Sequence, residues 1–115
     1  MSEVKTKKIA SVIIREVSDI LANDARDSLL KTITITGAEV ASDISHAKVF
    51  FTSYSELSKE QLEKELAEAS GYIRTELANR IELRHTPILT FKYDTSVEYG
   101  NKIEDIIKEI HKDDN

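Results

Sequence analysis

The chain is predicted to fold as a two-layer α+β domain, in the order helix-strand-strand-helix-helix-strand-helix, on three observations. Apolar residues recur at three- and four-residue steps over 4–22 and again from Leu62 to Ile81. Two runs between them, 31–40 and 46–54, alternate with β-branched and aromatic residues. The only proline, Pro87, separates the second helical region from a third alternating run, Ile88–Asp94. With 115 residues, 40% of them apolar, the chain fits one domain over 1–111 followed by a short polar tail, 112–115.

In the first helix Ile9, Val12, Ile13, Val17, Ile20 and Leu21 form one apolar stripe, which the polar segment 23–28 ends. Ile33 and Ile35 share one face of the first strand, with Thr32, Thr34 and Thr36 on the other, and Gly37 marks a bulge. A polar turn over 41–45 leads to the second strand, where Ala47, Val49 and Phe51 face one way; the two strands are close enough in sequence to pair antiparallel. Ser58 with Gln61 reads as a capping box.

The helix that follows has its apolar positions at Leu62, Leu66, Ala69, Ile73, Leu77 and Ile81. At ~100° per residue these drift about 100° around the axis. A kink at Ala69-Ser70-Gly71 lets both halves face one sheet, with an opened turn exposing backbone N–H groups. Thr86-Pro87 stops this helix and opens the third strand, which the helical crossover allows to run parallel to the second. A last helix is expected over about 99–112, carrying Ile103, Ile106, Ile107 and Ile110. The sheet is therefore three-stranded and mixed, packed on helices.

Composition narrows the function. The absence of cysteine excludes disulfides and thiolate zinc sites, and no apolar stretch approaches the ~20 residues of a membrane span, so a soluble cytoplasmic protein is expected. His46, His85 and His111 fall in three elements without metal-ligand spacing, and no nucleophile or nucleotide-binding motif occurs. Asp43 near His46 is most simply a turn-stabilising aspartate beside a strand-start histidine, and the carboxylates of 60–68 a solvated helix face. No catalysis, cofactor, metal or small-molecule substrate is implied.

The net charge of −5 argues against nucleic acid until its distribution is considered. Lys5, Lys7, Lys8 and Arg15 crowd the first helix, and Arg74, Arg80 and Arg84 follow the glycine; the acid sits mainly in 56–68 and near the C-terminus. The candidate RNA-binding residues are therefore Lys7, Lys8, Arg15, Ser70, Gly71, Arg74, Arg80 and Arg84.

The element order resembles that of type II KH domains, which bind single-stranded nucleic acid through a GXXG loop. This chain has no such loop; in its place stands Ala69-Ser70-Gly71, and an A-x-G kink in a KH-like fold resembles the ribosome-binding factor A family. Further likenesses are Ala47-Lys48-Val49-Phe50, Gly71-Tyr72-Ile73-Arg74, Leu83-Arg84 with Pro87, Leu89 and Phe91, then Tyr93-Asp94 and Tyr99-Gly100-Asn101-Lys102-Ile103. The chain departs from the family at Lys7 and Lys8, where arginines are common, and at Asn23-Asp24-Ala25-Arg26, which lacks the usual proline. The resemblance implies a monomeric factor that binds the small ribosomal subunit and its ribosomal RNA, assisting late maturation, RNA processing and growth in the cold. Two other readings stay open at this stage: a KH-like protein acting on non-ribosomal RNA, and a protein-interaction module using the acidic helix and the C-terminal apolar stripe.

Overall fold

The computed structural model describes residues 3–24 and 27–96; the helix expected over 99–112 and the tail at 112–115 lie outside them. Helix α1 (Glu3–Asp19) buries Ile9, Ile13 and Val17 along one stripe. Its last turn differs from the sequence reading, because Ile20–Asp24 is π-helical rather than α-helical. The wider turn lets the consecutive residues Ile20 and Leu21 both enter the core.

A 3-10 turn, Leu30–Thr32, delivers the chain into β1 (Ile33–Val40), which pairs antiparallel with β2 (His46–Ser53) from Ile33 opposite Ser53 to Val40 opposite Ala47. The register shifts between Ile35 and Gly37, the bulge expected from the sequence. Without it Ala38 and Val40 would point to solvent; with it they pack on the core with Ile33 and Ile35. The turn between the strands is not wholly polar, since Ile44 is buried. It reaches the core by adopting φ 60, and its N–H donates to Ala41 O over 2.8 Å.

Helix α2 (Lys59–Arg80) begins with the expected capping box between Ser58 and Gln61. One helix of 22 residues spans both halves that the sequence places on either side of the kink. The helix continues without interruption through Ala69-Ser70-Gly71, where the sequence places the kink. Local side chains lean on its backbone there: Ser70 Oγ donates to Ala67 O over 2.7 Å and Thr75 Oγ1 to Gly71 O over 2.9 Å. The helix also ends earlier than Thr86-Pro87. Ile81 is extended (φ −118, ψ 144), and Ile81 and Leu83 pack on the core while Glu82 and Arg84 face outward. That alternation buries two side chains that a continued helix would splay to different sides.

Strand β3 (Ile88–Tyr93) runs parallel to β2, from Ile88 opposite His46 to Tyr93 opposite Phe51, completing a mixed sheet of order β1-β2-β3. Ala47, Val49, Phe51, Leu89 and Phe91 face both helices in a single core, while Thr34, Lys48, Thr90 and Lys92 face solvent on the other side. Phe51 and Tyr93 meet edge-on, their ring centroids 5.5 Å apart. Among the described residues no helix is long and apolar enough to cross a membrane.

Candidate RNA interface

The amphipathic spacing that buries one stripe of α1 leaves its lysines and arginine on the remaining surface, where they diverge. Lys7 faces a groove beside the β1–β2 turn, shared with Thr6, Ala10, Glu39 and Ser42. Lys8 and Arg15 point toward the end of α2, where with Arg80 they rim a cleft of about 380 Å3. The floor of that cleft is aliphatic, built from Ile9, Val12, Ile81 and Leu83, with Glu16 and Glu82 at its margin. The early end of α2 makes this cleft, because extended Ile81 and Leu83 supply one wall.

Arg80 is committed within the fold. Its Nη1 donates to Asp19 Oδ2 over 2.5 Å and to Glu16 Oε2 over 3.4 Å, joining α2 to α1. The Arg80 hydrogen bond, followed by one from Asn23, holds the Asp19 carboxyl below the usual carboxylate value. Asp19 in turn raises the Arg80 guanidinium. The sequence reading missed this clamp, although a carboxylate pair one turn apart near the end of α1 was the signal available. Arg15 pairs with its neighbour Glu16 over 3.3 Å while its side chain stays 72% exposed, so it is held weakly and remains available to solvent and ligand.

Arg74 is also engaged: Nε and Nη2 both donate to Thr86 O, over 3.2 and 2.8 Å. It therefore pins the residue before Pro87, and the G-Y-I-R and L-R-x-x-P segments, separated in sequence, are joined in space by one side chain. Arg84 is exposed and has no partner among the described residues. Ser70 lies in a different groove, between α2 and β3, with Glu60, Glu63, Lys64 and Lys92. Ser70 and Arg80 are ten residues apart on one helix, about 15 Å along its axis. Gly71 is exposed, and a Cβ added there would meet nothing within 4 Å. The structure thus brings together Lys8, Arg15 and Arg80, places Arg84 next to that group's Leu83, and sets Lys7 and Ser70 apart from it.

Asp43 behaves as a turn residue. Its Oδ1 accepts from Ser45 N over 3.0 Å and Ser45 Oγ over 2.6 Å, which lowers its pKa, and Ser45 Oγ lies 2.9 Å from His46 Nδ1. Ser45, not Asp43, is the hydrogen-bonding neighbour of the histidine, and the group is exposed. Among the described residues no cluster of carboxylates and histidines could hold a metal ion.

Comparison with known proteins fits this geometry. A sequence model of the family described as ribosome-binding factor A matches residues 5–107. The chain belongs to this family. Ribosome-binding factor A of Staphylococcus epidermidis is 39% identical over 115 residues, covering 99% of both chains. The crystal structure of ribosome-binding factor A from Thermus thermophilus superposes with a TM-score of 0.66 at 20% identity, covering 75% of this chain and 92% of that one. A Thermus thermophilus ribosome-binding factor A fitted into the cryo-EM map of a 30S complex gives 0.65 at 19% identity, covering 78% and 96%. At such identities the structural likeness speaks to the fold, which is the KH-like α+β architecture. The family's ordered motifs acquire physical roles here: Ile73 and Leu77 are fully buried, Arg74 fixes Thr86, and Asp94 accepts from Thr36 Oγ1 over 2.5 Å, tying the end of β3 back to β1.

Proposed function

We propose that this chain binds the small ribosomal subunit through its ribosomal RNA, in the cytoplasm and as a monomer, and assists late maturation and RNA processing of that subunit, including in the cold. The observation that carries the RNA contact is the aliphatic cleft rimmed by Lys8, Arg15 and Arg80, with Arg84 beside it. Lys8, Arg15 and Arg84 supply the phosphate contacts, and Lys7 extends the positive edge along α1. Arg80 and Arg74 act one step back, setting the spacing of α1, α2 and the Thr86-Pro87 segment. Ser70 and Gly71 offer a closely approachable helix surface, since neither Gly71 nor the Ser70 hydroxyl raises bulk there.

The mechanism is binding without bond chemistry. A factor that prefers one RNA conformation raises its population by its differential affinity. Family membership and the 30S complex of the Thermus factor favour the small subunit over other RNA. Sedimentation tests the reading: the tagged protein should travel with free small subunits and not with assembled ribosomes. Lys8→Glu with Arg84→Glu should release it from the subunits while leaving its circular dichroism unchanged. Unaltered co-sedimentation of that double variant would overturn the assignment of this face.

A further inference from the structure

Both helices lie on one face of the sheet, and the described residues place no second layer on the other, where Thr34, Lys48, Thr90 and Lys92 are exposed. At the centre of that open face stands Phe50, which the register sets opposite Gly37 of β1 and Lys92 of β3. Lys48, two residues back along β2, shares the face. Neither lysine has a partner among the described residues. Phe50 is half-buried by its neighbours within the sheet, and the rest of its surface faces solvent. Gly37 is not required there by its backbone, whose φ is not positive. Nor is it required by space, since an added Cβ would meet Phe50 Cδ2 at 3.8 Å, an ordinary contact. What the glycine does is leave the flank of the Phe50 ring uncovered. The β-branched residue that a strand otherwise favours would stand beside the ring.

We propose that this face is a second RNA contact, on which an unpaired base stacks against the Phe50 ring while the adjoining phosphates lie on Lys48 and Lys92. It rests on the reading that the chain binds RNA, and adds a surface on the side of the sheet away from the α1–α2 cleft. An aromatic ring flanked by two unpartnered cations matches a single-stranded nucleotide, which offers a π-face beside an anion. A duplex offers the anions alone, because its bases are stacked on one another. The acidic side chains do not oppose this placement. Glu39 faces Lys48 from the outer strand β1, Asp94 is engaged by Thr36 at the end of β3, and the carboxylates of α2 lie behind the sheet. The chain then holds RNA on two opposite sides, which suits a factor set between segments of a folding RNA.

The test uses the full-length protein labelled with 15N and with 13C in its phenylalanine rings. It is titrated with single-stranded hexa-adenylate and, separately, with inorganic polyphosphate, which carries charge without bases. Hexa-adenylate should move the Phe50 ring protons upfield together with the Lys48 and Lys92 amides, and polyphosphate should leave the ring protons in place. Phe50→Leu keeps an apolar side chain beside Gly37 and removes the ring; read at the Lys48 and Lys92 amides, it should weaken hexa-adenylate binding about tenfold. Phe50→Tyr keeps the ring and should bind as the native chain does. Phe50 ring protons unmoved by hexa-adenylate, or moved equally by polyphosphate, would overturn the proposal, as would native affinity in Phe50→Leu. If the Lys8, Arg15 and Arg84 amides respond in those cases, the cleft reading survives alone; if they are silent too, both fall. Shifts confined to the sheet would keep this contact and remove the cleft.

Discussion

Arg80 Nη1 and Asp19 Oδ2 lie 2.5 Å apart, so the last turn of α2 is fastened to the last α-helical turn of α1. The two side chains divide the positive charge of this region into a structural part and an available part. Arg80 holds the helices, while Arg84, four residues on, stays exposed and has no partner among the described residues.

Single charge reversals should therefore separate. Arg80→Glu gathers three carboxylates, at 16, 19 and 80, and is expected to lower the thermal midpoint; pairing it with Asp19→Arg should restore part of the loss. Arg84→Glu should leave the midpoint unchanged and weaken subunit binding. Thermal melts and sedimentation of the three variants check both halves.

Gly71 has a helical backbone and open space above it. Gly71→Ala should accordingly raise stability by about 0.5–1 kcal/mol in urea unfolding, the usual difference between these residues inside a helix. Where RNA lies against this surface, the same methyl group should reduce affinity. A variant that is more stable and binds less well would identify a glycine kept for approach of a ligand rather than for the fold.

The salt dependence of binding follows from the cations left available. With about four phosphate contacts, from Lys7, Lys8, Arg15 and Arg84, log K against log salt should fall with a slope of about −3 to −3.5. Lys8→Gln should make that slope shallower by roughly 0.7–0.9, whereas Arg80→Gln should change stability more than slope.

Acid should loosen the helix clamp. Asp19 has its pKa lowered by Arg80 and then Asn23, and Asp94 by Ser96 and then Thr36. A carboxyl with a depressed folded pKa contributes stability that is complete above its unfolded value of about 4 and is lost as pH falls through the folded value. Urea midpoints should therefore show no change from these groups between pH 7 and 5 and a decline below about pH 4. Asp19→Asn and Asp94→Asn should each flatten that decline.

Ile44 offers a test of backbone strain. At φ 60 every residue with a Cβ is disfavoured by roughly 1–2 kcal/mol, so Ile44→Gly should cost no more than Ile44→Ala. At buried helical sites such as Ile13 the order is the reverse. Urea unfolding of the four variants decides this.

The contrast between these positions also explains what could be read in the sequence. Strand alternation, the bulge at Gly37, the capping box at Ser58 and the parallel third strand depend on local pattern or on a crossover that sterics nearly dictate, and all were legible. Ile44 was not, because a lone apolar residue in a polar turn gives no periodic signal. The end of α2 was hidden for a related reason: Ile81 and Leu83 fit helical spacing loosely and strand spacing well, and packing against the core settled the choice. At the candidate site, charge clustering located the cations. It could not distinguish Arg84 from Arg74 and Arg80, whose partners Thr86, Asp19 and Glu16 are 12 to 64 residues away.

The mixed sheet, finally, sets an order in time. Five residues separate β1 from β2, whereas 34 separate β2 from β3. Closing the longer span costs about 1.7 kcal/mol more in chain entropy, before the packing of α2 returns any of it. During synthesis the hairpin can therefore settle its register, bulge included, while β3 is still unmade. The other side of β2 then waits as an unpaired parallel edge until the crossover helix has left the exit tunnel.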